Sequence, residues 1–269
     1  MRSILLHIDE DPCLDARIRV ALDLARTFDG HLTCLQVVPY DFGIPGDFYG
    51  TMVTQFYPVI RENAEKVREA IELRLTSEDV QWDWVSKDGM AQDHLLVHAG
   101  LSDVIVMGAC TESRSAAAYS RLAAEIAIGA ATPIMLVPEK CGGLDSSDPA
   151  AIAWNGSPEA SRALRAAVPL LQRSSDVYLL TVTDNEQEFD LSEIEGASFL
   201  SRHGIESKVV ELPLSSKSIR DTLVDAAQIR KAGWIAMGAY GHTRFRERIL
   251  GGVSRSMMSG PELPILMAH

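Results

Sequence analysis

The sequence predicts an α/β protein built from two doubly wound domains, each a five-stranded parallel sheet with helices on both faces. Two observations carry this prediction. Short apolar runs alternate with amphipathic stretches, and the order of these segments in the first half of the chain returns in the second. Continuous Val, Ile and Leu runs are typical of strands buried on both faces, and their alternation with helical stretches favours parallel pairing.

The internal repeat is clearest at the ends of the halves. Each half opens with an apolar run that breaks at a polar residue, Asp9 in the first and Asn155 in the second, with a proline three positions later. Near the end of each half, residues 104–109 match residues 234–239. Such self-similarity at a fixed period indicates a duplication.

The remaining elements follow in the same order in both halves. Besides the two opening runs, strands are predicted at 34–38, 81–86, 104–107, 134–137, 177–182, 207–212, 234–237 and 265–267. A helix is predicted after each opening strand, because apolar residues recur there three or four positions apart. These residues are Ile18, Ala21, Leu22 and Ala25, and then Ala163, Leu164, Ala167 and Leu171.

A turn-forming segment separates the halves. Residues 139–149 are rich in Gly, Ser, Asp and Pro, which interrupt regular structure. We therefore place one domain at residues 1–140 and the other at 148–269, each large enough for its own core. The stretch 39–58, rich in Gly, Pro, Phe and Tyr, is predicted to be an irregular flap or interface loop.

Composition limits the partners and the compartment. The formal net charge of -12 disfavours binding to nucleic acid or to an anionic membrane, since both need concentrated Lys and Arg. No apolar run approaches the roughly 20 residues needed to cross a bilayer, so we expect a cytoplasmic protein. The four cysteines are scattered, which favours free thiols over a disulfide framework or a zinc site.

The strongest functional pattern follows the predicted strand 234–237. Gly238 and Gly241 are separated by two residues, and nine residues then lead to Gly251. Glycines just beyond a strand let the main chain approach a ligand closely, and amide groups there can hold negative oxygens. Asn155 also ends a strand, and ligands of such sheets bind beyond the carboxyl ends where strand order reverses. The sequence therefore predicts a phosphate-binding site at this edge.

These glycines, with the closing run 264–267, resemble the carboxyl end of universal stress protein domains, and the duplicated layout resembles a tandem member of that family. The family pattern has Ser or Thr after the third glycine, where this sequence has Gly252. The resemblance implies a stress-response protein with a binding or regulatory role. Its ligand would be ATP, with or without magnesium, or AMP or another adenine nucleotide. The two domains would pair internally as a pseudo-dimer.

The resemblance also implies which residues contact the nucleotide in the second half. Asn155 stands at the acidic position that contacts the ribose or adenine side, where an amide keeps hydrogen bonding but loses the charge. Val182 would present main-chain atoms to the adenine edge, and Met237 would flank the base. The implied phosphate contacts are the main chain of Gly238, Gly241, Gly251, Gly252 and Val253, with the hydroxyl of Ser254 in place of the one that Gly252 lacks.

The corresponding place in the first half is degraded. Thr111 stands where the second glycine is expected, and residues 114–121 contain no glycine. Three consecutive acidic residues begin at Asp9, and they would repel a polyphosphate unless a metal intervened. We therefore expect no nucleotide in the first half, which would instead replace the second subunit of a domain pair.

Two other functions stay open. One is a slow ATP-hydrolysing or adenylate-transferring enzyme on the same fold, and the other is a nucleotide-free interaction scaffold, favoured by the departures at Asn155 and Gly252. No P-loop, dinucleotide fingerprint or nucleophile elbow is present, so no catalytic residue and no metal ligand are assigned. A homodimer formed through exposed sheet edges also stays open.

Overall fold

The computed structural model describes residues 1–39, 51–109, 120–183, 191–214, 217–241 and 252–269. The strands in these ranges are β1 (Ser3–Ile8), β2 (His31–Val38), β3 (Gln81–Asp88), β4 (Val104–Gly108), β5 (Ile134–Val137), β6 (Ala150–Ala153), β7 (Val177–Thr183), β8 (Lys208–Pro213), β9 (Trp234–Gly238) and β10 (Ile265–Ala268). The helices are α1 (Leu14–Phe28), α2 (Thr51–Thr76), α3 (Ala91–Ala99), α4 (Arg121–Gly129), α5 (Pro158–Leu171), α6 (Glu193–Arg202), α7 (Ile219–Ile229) and α8 (Gly252–Met258).

The two halves have the same doubly wound sheet, which confirms the predicted fold class. The strand order is β3-β2-β1-β4-β5 in the first half and β8-β7-β6-β9-β10 in the second, and every pairing within a half is parallel. In each half the chain begins in the central strand, winds to one edge and returns to fill the other side. The strand order therefore reverses beside β1 in one half and beside β6 in the other.

The two sheets join edge to edge into one sheet. β5 pairs with β10 in the antiparallel direction, with Leu136 opposite Ile265 and Ile134 opposite Met267. The segment between β5 and β6 is also attached to the first half, since the Leu144 N–H donates to Asp23 Oδ2 at 2.8 Å. The two halves are thus paired by backbone hydrogen bonds between β5 and β10. Each half thereby covers the edge strand of the other.

Buried apolar residues form one core on each face of this sheet. One core lies under α1, α2, α5 and α6, and the other lies under α3, α4, α7 and α8. Strand residues alternate between the two cores, as the period of two along a strand requires. On β9, for example, Trp234 and Ala236 belong to the first core whereas Ile235 and Met237 belong to the second. Burial on both faces explains the unbroken apolar runs of the sequence.

Two expectations need correction. The stretch 39–58 is not irregular at its end, because α2 begins at Thr51 and continues through Pro58; residues 40–50 lie outside the described residues. The expectation of free thiols is wrong for Cys13, which is disulfide-bonded. Cys13 is buried at the start of α1, so it packs within the fold instead of lying on the surface. Cys34 and Cys141 are free.

Within the described ranges, no helix is both long enough and apolar enough to pass through a bilayer. The longest is α2, and its sequence carries charged residues along most of its length. Its burial follows the same pattern, with exposed positions recurring from Arg61 to Ala70. This helix covers one face of the sheet and presents its charged side to solvent.

Candidate functional site

Three of the predicted site residues, Asn155, Val182 and Gly238, lie at the ends of neighbouring strands where the strand order reverses. In the sheet register, Ala153 of β6 lies opposite Leu180 of β7 and opposite Met237 of β9. Two residues further on, these three neighbouring strands reach Asn155, Val182 and Ala239. We call the space beyond these strand ends, bounded by the beginning of α5, the second-half crevice. It is the position at which doubly wound sheets bind ligands.

The main chain of Val182 is directed toward this crevice. The carbonyl of Leu180 accepts from the Trp154 N–H at 2.8 Å, whereas the carbonyl of Thr183 accepts from the Leu214 N–H at 3.3 Å. Leu180 therefore bonds toward β6 and Thr183 bonds toward β8. Because successive residues of a parallel strand bond to opposite neighbours, the amide and carbonyl of Val182 face the β6 side, where β6 has already ended.

Asn155 opens the turn that leads into α5. Its Oδ1 accepts from the Ser157 N–H at 3.3 Å, and Ser157 caps the helix by accepting from the Ala160 N–H at 3.1 Å. The Asn155 side chain is exposed, and its amide nitrogen has no hydrogen-bond partner among the described residues. That nitrogen can therefore donate to a ligand in the crevice, as the position of Asn155 predicts.

Gly238 allows β9 to pack directly on the first turn of α5. A Cβ built on Gly238 would lie 2.6 Å from the Ala160 nitrogen and 2.7 Å from the Glu159 carbonyl carbon. Such distances are far inside van der Waals contact, and both atoms belong to the backbone, so no side-chain rotation could relieve them. Gly238 is thus required by the approach of helix to strand, in addition to any role toward a ligand.

The turn after β9 uses several of its own polar groups. The Ala239 N–H donates to the Ala268 carbonyl at 2.8 Å, and the Tyr240 N–H donates to Ser254 Oγ at 2.9 Å. Tyr240 has a positive φ of 53 and is buried, with its hydroxyl 3.4 Å from the sulfur of Met258. Ser254, itself buried, therefore fixes the turn through a contact that sequence reasoning missed.

Glu159 is the second residue that sequence reasoning missed. Its side chain is buried at the beginning of α5, and a Cβ on Gly241 would lie 2.9 Å from its Oε2. Its ionic partner is Arg162, with Nη1 3.4 Å from Oε1. No motif identifies such a residue, because a glutamate in the first turn of a helix ordinarily lies on the surface. The carboxylate occupies the crevice side of the glycine motif.

The remaining residues that were predicted to contact a nucleotide lie in the core, in α8 or outside the described residues. Met237 is 4% exposed and packs in the core under α7 and α8. Gly252 begins α8, where an added Cβ would meet nothing within 4 Å, and Val253 is half-buried. Gly251 lies outside the described residues. The contacts of all these residues with a nucleotide stay predictions.

The equivalent place in the first half is filled by a buried arginine. Arg17 is 0% exposed, and its Nη1 lies 2.5 Å from Asp11 Oδ2, while its Nη2 donates to the Asp9 carbonyl. A Cβ on Gly108, the counterpart of Gly238, would lie 2.5 Å from that Nη1. The side chains of Arg17 and Asp11 thus lie against Gly108, where the backbone of α5 lies against Gly238 in the second half.

His7 lies beside this pair and stays neutral in the folded protein. Burial, together with the charge of Arg17, lowers the pKa of His7 from 6.5 to about 3. In the unfolded chain the histidine protonates as the pH falls below 6.5, whereas in the folded chain it does not. Stability due to neutral His7 is therefore lost as pH falls from 6.5 toward 3, by about 1.4 kcal/mol per pH unit.

We expect this loss to be visible between pH 6.5 and pH 5, above the range in which carboxylates protonate. Over that interval, the free energy of unfolding of the wild type should fall by about 2 kcal/mol more than that of His7→Gln. Denaturant unfolding at several pH values measures the difference. His98, whose pKa burial also lowers, is present in both proteins and cancels. Parallel pH profiles for the two proteins would contradict the burial of a neutral His7.

Metal-binding clusters are absent from the part of the chain that the structure describes, where no group of three His, Cys, Asp or Glu side chains could hold an ion. The histidine pair on α3 has other contacts. His94 Nε2 lies 3.1 Å from the Asp88 carbonyl oxygen. Among the described residues, neither His94 nor His98 belongs to a group of three side chains that could hold a metal ion. The His94–His98 spacing is therefore a feature of one helix surface.

Comparison with known proteins agrees with this architecture. Residues 149–269 match the model of the universal stress protein family. A universal stress protein from Archaeoglobus fulgidus DSM 4304 aligns over 99% of this chain and 96% of its own, at 17% identity and a TM-score of 0.74. A candidate universal stress protein from Pseudomonas aeruginosa UCBPP-PA14 aligns over 100% and 93%, at 12% identity and a TM-score of 0.61. No curated protein matches the chain.

The fold is that of a doubly wound α/β protein with two repeated halves, and in the second half the strand order reverses beside β6. At 17% and 12% sequence identity, the similarity to the two solved structures shows the fold. The match to the family model covers the second half of the chain. Residues 149–269 are thus similar to the universal stress protein family, and over its whole length the chain shares the fold of the two solved structures.

Proposed function

We propose that the second domain, residues 148–269, binds an adenine nucleotide in the second-half crevice and that the protein acts as a cytoplasmic, stress-responsive binding protein. The observation that carries this proposal is the placement of Val182 and Asn155. The Val182 main chain, on the side where β6 has ended, and the Asn155 amide nitrogen, which has no partner among the described residues, lie at the ends of neighbouring strands. Together they offer both a donor and an acceptor to a purine edge and a donor to a ribose hydroxyl.

The base and ribose side of the crevice fits such a ligand better than the phosphate side does. Gly238 and Gly241 leave the main chain bare, which suits close approach by phosphate oxygens. However, the Ala239 and Tyr240 amides already have partners, and the Glu159 carboxylate stands against Gly241. The fit supports an adenine compound in general, with ATP, with or without magnesium, and AMP as the candidates.

We propose further that the first domain, residues 1–140, binds no nucleotide. Arg17 and Asp11 fill the space facing Gly108 with a pair of charges that satisfy one another. Opening this space would leave Arg17 buried without its partner, which is costly. The first domain would serve instead as the permanent sheet partner of the second.

A nucleotide-free scaffold is the second candidate, and the internal bonding of the turn after β9 is the observation that favours it. Slow ATP hydrolysis is the third, although in-line attack on a phosphate ordinarily requires acidic metal ligands and a positioned base. Glu159 is the one buried carboxylate beside the crevice among the described residues, and it faces glycine main chain.

Calorimetric titration with AMP tests the proposal. We expect one AMP to bind per chain, and bound AMP to raise the free energy of unfolding by about 2.7 kcal/mol at a concentration one hundred times its dissociation constant. Differential scanning calorimetry at the same concentrations measures this stabilisation, with GMP as the control ligand. Absence of both heat and stabilisation with millimolar AMP would leave the scaffold as the better account.

A further inference from the structure

Glu159 places a negative charge where the phosphates of a nucleotide in the second-half crevice would lie. Its side chain is 7% exposed, and its Oε2 lies 2.9 Å from the position of a Cβ on Gly241. Among the described residues, Arg162 is its only ionic partner, with Nη1 3.4 Å from Oε1. Arg162 is about half exposed, at 48%, so the pairing is on the solvent side and the carboxylate still faces the glycine motif.

The position of this carboxylate has a clear electrostatic reason. Glu159 lies in the first turn of α5, a helix of 14 residues whose N-cap is Ser157. The amino end of a helix stabilises negative charge, whether that charge belongs to a side chain or to a bound phosphate. Glu159 and a phosphate group would therefore compete for the same end of the same helix.

We propose that Glu159 sets how much negative charge the second-half crevice accepts, so that the site favours adenosine or a nucleotide with few phosphate charges over ATP free of a bound cation. This inference rests on the proposed function. Like charges in a partly desolvated site repel strongly, and the repulsion grows with each phosphate that passes Gly241. A ligand that ends at the ribose avoids it.

The test compares adenosine with ATP, in the absence of magnesium, on wild type and on Glu159→Gln. The amide keeps the shape of the side chain, removes the charge and releases Arg162 for contact with phosphate. We expect ATP to bind at least about tenfold more tightly to the variant, and adenosine to bind the two proteins within about twofold. Titration calorimetry gives all four dissociation constants.

Glu206→Gln is the matched control, since it removes one charge from the same domain. Glu206 is exposed and precedes β8, at the amino ends of the strands, whereas the crevice lies beyond their carboxyl ends. Its affinities for both ligands should equal those of the wild type. Arg162→Gln is a second variant and is expected to act in the opposite direction. It leaves Glu159 without its cation and should weaken ATP about threefold relative to adenosine.

The outcomes separate this inference from the proposed function. If adenosine binds but the ratio of ATP affinity to adenosine affinity is the same in wild type, Glu159→Gln and Arg162→Gln, then the role of Glu159 is wrong and the proposed function stands. If Glu206→Gln increased the affinity for ATP as much as Glu159→Gln does, the role of Glu159 would also be wrong, because the change in net charge alone would explain the increase. If neither ligand binds wild type or Glu159→Gln, the proposed function fails and the inference fails with it.

Discussion

Gly238→Val is expected to lower the free energy of unfolding by about 3 kcal/mol and to abolish adenine-nucleotide binding. The Cβ of valine would lie 2.6 Å from the Ala160 nitrogen and 2.9 Å from the Glu159 Cβ, so α5 must move away from β9. Overpacking of a well-packed contact costs about 1–3 kcal/mol of stability. We expect a cost at the upper end of this range, because valine is β-branched and the atoms that it meets belong to the backbone. Because Asn155 and Glu159 are carried by the same turn and helix, the crevice changes shape as well.

Gly252→Val is the matched control for this prediction. It makes the same substitution at another glycine of the motif, but a Cβ there meets no atom of the described residues within 4 Å. Its free energy of unfolding should lie within about 1 kcal/mol of the wild type, since only helix propensity changes. Urea unfolding and AMP titration on both variants make the comparison. Equal stability of the two variants would show that Gly238 is not a packing glycine.

Arg17→Met is expected to lower the free energy of unfolding by about 3 kcal/mol. Removing one partner of a buried ion pair leaves the other charge uncompensated, at a typical cost of about 3–5 kcal/mol. The lower end applies here, because the Asp11 side chain is 25% exposed while Arg17 is 0% exposed. The substitution also removes a charge that helps to lower the pKa of His7, so the pKa of His7 should rise.

Arg19→Met tests the same chemistry on the same helix at a side chain that is only partly buried. Arg19 pairs with Asp15, and the two side chains are 39% and 61% exposed. An exposed pair contributes at most about 1 kcal/mol, so this variant should be close to the wild type in denaturant unfolding. A loss in Arg17→Met no larger than that in Arg19→Met would contradict the view that a charge pair fills the first-half site.

The sheet could be predicted from the sequence because burial on both faces makes its strands unbroken apolar runs. The runs 104–107 and 134–137 appear in the structure as β4 and β5 with ends at most one residue away. The repeat then fixed the same order for the second half. The apolar runs could not predict the antiparallel pairing of β5 with β10. Both strands are short apolar runs, and their residues do not specify which edge strand pairs with which.

The site was only partly predictable for a different reason. The linear pattern places Asn155 and Gly238 at strand ends, whereas Val182 comes from the family resemblance. Glu159 and Arg17 do not, because charged residues near helix starts are ordinarily solvated. Only the three-dimensional approach of α1 to Gly108 and of α5 to Gly238 and Gly241 shows that these two charges lie inside the fold.

The most direct test of the central claim is a crystal structure of the protein soaked with AMP. The account predicts difference density for adenine beside the Val182 main chain, with the ribose near the Asn155 amide, in the second half of the chain alone. Density beside Arg17 in the first half, density elsewhere on the molecule, or an unchanged second-half crevice at millimolar AMP would contradict it.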